Sequence, residues 1–157
     1  NIMSVILTEA EAKTLLAGIY MMKIANSPMS AVTLSGTIHG LLDEAQKTSP
    51  DNPRAYLIRG IMLYNTPALF GGSSEKALQN INKAVSLFDR DEDTTGSKPQ
   101  WGYLESLAWQ GRVHTALDNY DAALFSYNKA LEEEPEFMWV SKNLLPSLKK
   151  KMSAKKN

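Results

Sequence analysis

The chain has 157 residues, 43% hydrophobic and 22% charged, which suits one folded unit or a short solenoid and argues against wholesale disorder. Its 17 basic and 17 acidic residues balance, so the global basic excess of nucleic-acid binders is missing. With no cysteine, disulfides, thiolate metal sites and cysteine nucleophiles are excluded, and no run of about 18 apolar residues reads as a membrane span.

The first predicted element is a helix in "AKTLLAGIYMMKIA", with Gly18 inside it. "NSPMSAVTLSGT" follows as a linker or the start of a second helix. Leu41 to Ala45 continues helical, and Pro50 lies beyond its end. A third helix starts at Pro53 and carries Tyr56 and Gly60. "TPALFGGSSEKAL" then poses a choice between a phosphate cradle and an inter-helix turn. It lacks the G-x-x-x-x-G-K-[ST] spacing and follows a helix rather than a strand. Glu75 in the first turn would already complement the helix dipole. The turn reading is simpler, with Gly71 and Gly72 reversing the chain and Ser73 or Ser74 capping the next helix. Phe70 in that turn either tucks onto a neighbour or forms part of a binding wall.

Arg90 to Gln100, "RDEDTTGSKPQ", reads as a loop. Two further helices follow, with Tyr120 near the start of the second, and Pro135 ends that one. A closing helix spans about 138–151, where Trp139, Leu144, Leu145 and Leu148 can cover an apolar edge and Pro146 kinks or shortens it. Residues 152–157 read as a frayed basic tail. All acids precede residue 140, so the body carries −6 and the remaining segment, with six lysines, +6.

One pattern occurs twice. Ala77-Leu78-x-x-Ile81-Asn82-Lys83-Ala84-Val85 matches Ala123-Leu124-x-x-Tyr127-Asn128-Lys129-Ala130-Leu131. Small and large residues three and four apart share one helical face, and the alanines allow close helix crossing. The best copy, Leu104 to Phe137, resembles the tetratricopeptide repeat, a unit of about 34 residues. Gly111, His114, Tyr120, Ala123, Tyr127, Ala130 and Pro135 carry the resemblance, while Leu107 stands where tryptophan is common and Gln110 where leucine is. A middle copy uses Tyr56, Gly60, Ala77, Ile81 and Ala84, with five residues inserted in "NTPALFGG". Together with "NPRAY", "FGG" and "WG", the pattern is similar to small bacterial envelope tetratricopeptide proteins and distantly to the T component of TRAP transporters.

The resemblance implies an all-α, right-handed α-solenoid of about three helix-turn-helix repeats plus a C-terminal capping helix. Its divisions are a divergent first repeat at 8–52, a second at 53–89 with an inserted loop at 65–72, a loop at 90–100, a third repeat at 101–137 and a capping helix at 138–151. It implies a non-catalytic scaffold whose concave face binds a protein or peptide. The candidates there are Arg54, Leu57, Ile61, Tyr64, Phe70, Trp101, Glu105, Trp109 and Arg112. The lysine/asparagine carboxylate clamp of some family members is not supported, because Leu57, Ile61, Ala108 and Arg112 stand at its key places. The alternative is a small apolar or amphiphilic ligand held near Phe70, Tyr64 and Trp101. No cofactor, metal or nucleic acid is expected: His39 gives no ligand spacing, His114 falls at a packing position of the repeat, and the consecutive Asp43-Glu44 and Glu132-Glu133-Glu134 point around their helices. The resemblance, and a chain starting at Asn1, suggest a processed precursor in the periplasm or envelope, with the cytoplasm as the alternative.

Overall fold

The computed structural model describes residues 2–91 and 101–155. Among them are seven α-helices and no strand. They are α1 (Ile2–Asn26), α2 (Ala31–Thr48), α3 (Pro53–Asn65), α4 (Ser74–Asp89), α5 (Tyr103–Ala116), α6 (Tyr120–Glu133) and α7 (Leu145–Ala154). Each packs on the next, and α1 also touches α3 as α3 touches α5.

α1 begins before the expected position and is apolar around most of its circumference. Its buried stripe is Ala10, Thr14 and Ala17, spaced four and three so that small side chains share one face. The Thr14 hydroxyl donates back to the Ala10 carbonyl at 2.8 Å, so no polar atom is left bare there. Ala10 meets Ala45 of α2 and Ala55 of α3 in an all-alanine junction. Gly18 faces α3 instead, with Ile58 Cδ1 at 3.5 Å from the position of an added methyl. Ser27 alone links α1 to a 3-10 turn at Pro28–Ser30, and α2 starts directly after it.

The repeated sequence pattern becomes a repeated contact. A methyl added at Gly60 would lie 2.4 Å from Ile81 Cγ1, and one at Gly111 would lie 2.3 Å from Tyr127 Cε1. Only glycine lets α3 and α4, and α5 and α6, cross so closely. Ala77, Ile81, Ala84, Ala123, Tyr127 and Ala130 are all buried on the facing stripes. All of these but Ala84 lie in one core with Val85, Leu107, Ala108, Val113, Val140 and Leu148. Ala17, Ile38, Leu42 and Met62 form a second under α1 to α3.

Helix ends follow local chemistry. Asn52 caps α3 by accepting from the Arg54 amide at 2.9 Å, with Pro53 in the first turn. The "FGGS" stretch is an inter-helix turn: Gly71 has φ +90, and a methyl on Gly72 would sit 1.7 Å from the Thr66 carbonyl oxygen. Ser73 is the residue that caps α4, accepting from the Lys76 amide at 3.2 Å. In the α5–α6 turn, Asp118 adopts φ 58. Pro146 falls in the first turn of α7, directly after a π-helical stretch at Trp139–Leu144. That wider turn accommodates the missing amide donor and the ring. α7 continues to Ala154, so residues 152–154, expected to be frayed, are helical. Most of the expected loop at 90–100 lies outside the described residues.

Polar links tie the helices laterally. Lys13 of α1 reaches Glu44 of α2 at 2.7 Å and Glu9 at 2.6 Å. Gln110, at the place where leucine was the common residue, donates to Asn82 of α4 and accepts from Ser126 of α6, both at 2.8 Å. Asp89 of α4 accepts from Tyr103 of α5 at 2.7 Å and pairs with Lys129 of α6 at 2.9 Å.

Candidate binding surface on α1, α3 and α5

The nine candidate residues separate into five groups. Arg54 and Leu57 are buried, at 4% and 1% exposure, and present no surface to a partner. Arg54 instead holds the fold together. Its Nε donates to the Trp101 carbonyl at 2.9 Å, its Nη1 lies 3.3 Å from Glu11, and its guanidinium stands 5.3 and 5.5 Å from the Phe88 and Trp101 ring centroids. Burial pushes the Glu11 carboxyl above its usual value, and Arg54 opposes that rise. A buried guanidinium needs such partners, because an unpaired charge out of water is costly.

Glu105 is exposed but engaged in a cap. Its Oε2 accepts from the Gly102 amide at 3.1 Å, and Gly102 itself has φ +111. Trp101 and Ile61 line a channel of about 440 Å³ between α1 and α3. Its other wall is Leu15, Ile19 and Met22 of α1, which are 55%, 51% and 67% exposed. These three were not among the candidates. Their i, i+4, i+7 spacing on a helix already apolar elsewhere was the available signal.

Tyr64, Trp109 and Arg112 come together at the α3–α5 junction. The Tyr64 and Trp109 rings meet edge to face at 5.8 Å, and the Arg112 guanidinium lies 5.5 Å from the first and 4.7 Å from the second. Trp139 extends this row, 5.5 Å from Trp109, and Phe137 extends it again at 6.3 Å. Sequence reasoning had given Trp139 only a covering role. All five side chains are half-buried. Among the described residues no carboxylate pairs with Arg112. A guanidinium over aromatic faces keeps its in-plane donors available for a planar anion.

Phe70 stands apart, 73% exposed. It lines a separate groove of about 750 Å³ formed by α1, α2, the end of α3 and the 66–70 turn. Phe70, Tyr64 and Trp101 therefore do not share one pocket. The groove and the channel touch only along Met21, Ala25 and Asn65.

Among the described residues no group of three or more Asp, Glu or His could hold a metal ion, and no helix is long and apolar enough to cross a membrane. His114 is half-buried, and burial lowers its pKa. No family model, no curated protein and no solved structure matches this chain.

Proposed function

We propose that the chain is a non-catalytic scaffold that binds a protein or peptide on the face formed by α1, α3 and α5. The observation that carries this reading is the Arg112 guanidinium over the Tyr64 and Trp109 rings, with Trp139 against Trp109 and no carboxylate partner among the described residues. Tyr, Trp and Arg are the side chains that most often anchor interfaces, because they cover much area at low entropic cost. The partner that suits them carries a carboxylate beside an apolar or aromatic side chain.

The matching Gly60–Ile81 and Gly111–Tyr127 contacts support a repeat architecture. On this reading the chain is a right-handed solenoid of about three tetratricopeptide-like repeats, α1–α2, α3–α4 and α5–α6, closed by α7. The first helix of each repeat then lines the concave side. The envelope placement belongs to the same resemblance, and fractionation of the native cells tests it.

Selection from a random-sequence peptide display library tests the binding claim. Selected peptides are expected to be acidic and aromatic. Trp109→Ala and Arg112→Ala should each weaken them at least tenfold, about 1.4 kcal/mol. Arg112→Ala should leave the thermal midpoint within a few degrees, whereas Trp109→Ala, which also removes the ring contacts to Tyr64 and Trp139, lowers it. Peptides whose affinity survives both changes would place the binding surface elsewhere.

A further inference from the structure

The groove beside Phe70 has a chemistry of its own. Met21, Ile24 and Ala25 of α1 form one wall, and Val32 and Ile38 of α2 with Met62 of α3 form the rest. Its volume of about 750 Å³ falls within the roughly 300–1,000 Å³ of small-molecule sites. Two methionines give it walls that adapt to an irregular apolar occupant.

Its mouth is built rather than loose. Val32 is 84% exposed on one lip and Phe70 is 73% exposed on the other. The second lip is fixed by backbone geometry. Gly71 is left-handed, Gly72 packs against the Thr66 carbonyl, and the Ser73 amide donates to Leu63 at 3.1 Å. Val32 and Phe70 flank one apolar groove, so they extend it as a contiguous apolar patch of the kind that marks a ligand-binding groove.

The polar lining decides what kind of cover fits. No Lys, Arg, Asp or Glu lines the groove. Ser35 donates to Ala31, Thr66 to Met62, and one Asn65 amide hydrogen goes to Ile61. What these groups still offer a ligand is mainly acceptor oxygens. His39 Nδ1 faces Arg59 at 3.4 Å. Arginine only donates, so in this contact Nδ1 is the acceptor and Nε2 is the ring atom left to donate. The nearest guanidinium, Arg59, is already paired with Asp43 and Gln46. An anionic head would therefore enter without a counter-ion, whereas a hydroxyl can both donate to Asn65 Oδ1 and accept from His39.

We propose that this groove binds a single-chain amphiphile with a neutral, hydroxyl-bearing head. The apolar chain lies along Met21, Ile24, Ile38 and Met62, and the head sits at the rim formed by Ser35, His39 and Asn65. The site is separate from the Arg112 row and does not depend on it.

Titration calorimetry with monodecanoylglycerol, kept below its aggregation concentration, is the test. Decanoate at mildly alkaline pH, where it is ionised, supplies the same chain with an anionic head. The expected result is one-to-one binding of the neutral amphiphile, with decanoate at least tenfold weaker. Val32→Lys and Phe70→Asp, both at exposed positions, should each reduce the neutral affinity at least tenfold with an unchanged thermal midpoint. Equal binding of decanoate would overturn the proposal, as would affinity indifferent to both substitutions. So would adsorption to phosphatidylcholine vesicles without binding of the monomer. Concentration-dependent self-association abolished by Phe70→Asp would overturn it too, because a second copy would then be the cover.

Discussion

At Gly111 an added methyl would enter the Tyr127 ring, whereas at Gly36 and Gly40 of α2 it would meet nothing within 4 Å. The same substitution should therefore have opposite signs along one chain. Gly111→Ala overpacks the α5–α6 crossing and should cost about 1–3 kcal/mol. Gly36→Ala or Gly40→Ala should stabilise by about 0.5–1 kcal/mol through helix propensity. Urea unfolding measures both. Equal effects at the three positions would mean that the close crossing is not what Gly111 serves. Gly111 was readable from spacing, because Tyr127 lies on the next helix of the same pattern. The burial of Arg54 was not. Its partners are Glu11, 43 positions earlier, and Trp101, 47 positions later, and no local pattern reports contacts of that range.

At the level of elements, polar clusters decide how the helix pairs are joined. The Asp89–Tyr103–Lys129 cluster links α4, α5 and α6. Burial opposes the Asp89 charge, but the Tyr103 hydroxyl and the Lys129 ammonium outweigh it and hold the carboxyl below its ordinary 3.8. A carboxyl lowered in the folded state contributes stability above its unfolded pKa and loses it as pH falls through the folded one. Glu11 has the opposite sign. Its raised pKa gives a contribution that is complete in acid and declines as pH rises through the folded value. Comparing Asp89→Asn with the parent isolates the first effect. The variant should be about 0.5–1 kcal/mol less stable near neutrality, as fits a partly exposed pair, and the gap should close below about pH 4. A gap that persists in acid would assign the loss to packing.

The elements were largely legible because caps, prolines and the small–large–small stripe are local signals. "TPALFGGSSEKAL" illustrates the reach and the limit of such signals. Its turn followed from the absent lysine spacing and the flanking helices, and Ser73 emerged as the cap. Where Phe70 points depended on α2, whose start at Ala31 the sequence left open between linker and helix. Pro146 likewise announced a disturbance, but the π-helical stretch before it depends on how Val140 and Leu148 pack into the core.

Across the whole molecule, the seven helices place two kinds of surface side by side. One is the aromatic row with Arg112, half-buried and cationic. The other is the apolar groove under Phe70, with no charged lining residue. Sequence reading named most of the first and only the edge of the second. Trp109 and Arg112 sit three residues apart on one helix, whereas the groove is assembled from three helices and a turn. The scaffold reading stands on the charge of Arg112, so reversing that charge tests it most directly. Peptide display should be repeated on Arg112→Glu, with circular dichroism confirming unchanged helicity. The account predicts that the selected peptides change from acidic to basic while keeping their aromatic residue. Recovery of the same acidic peptides from both proteins would contradict it.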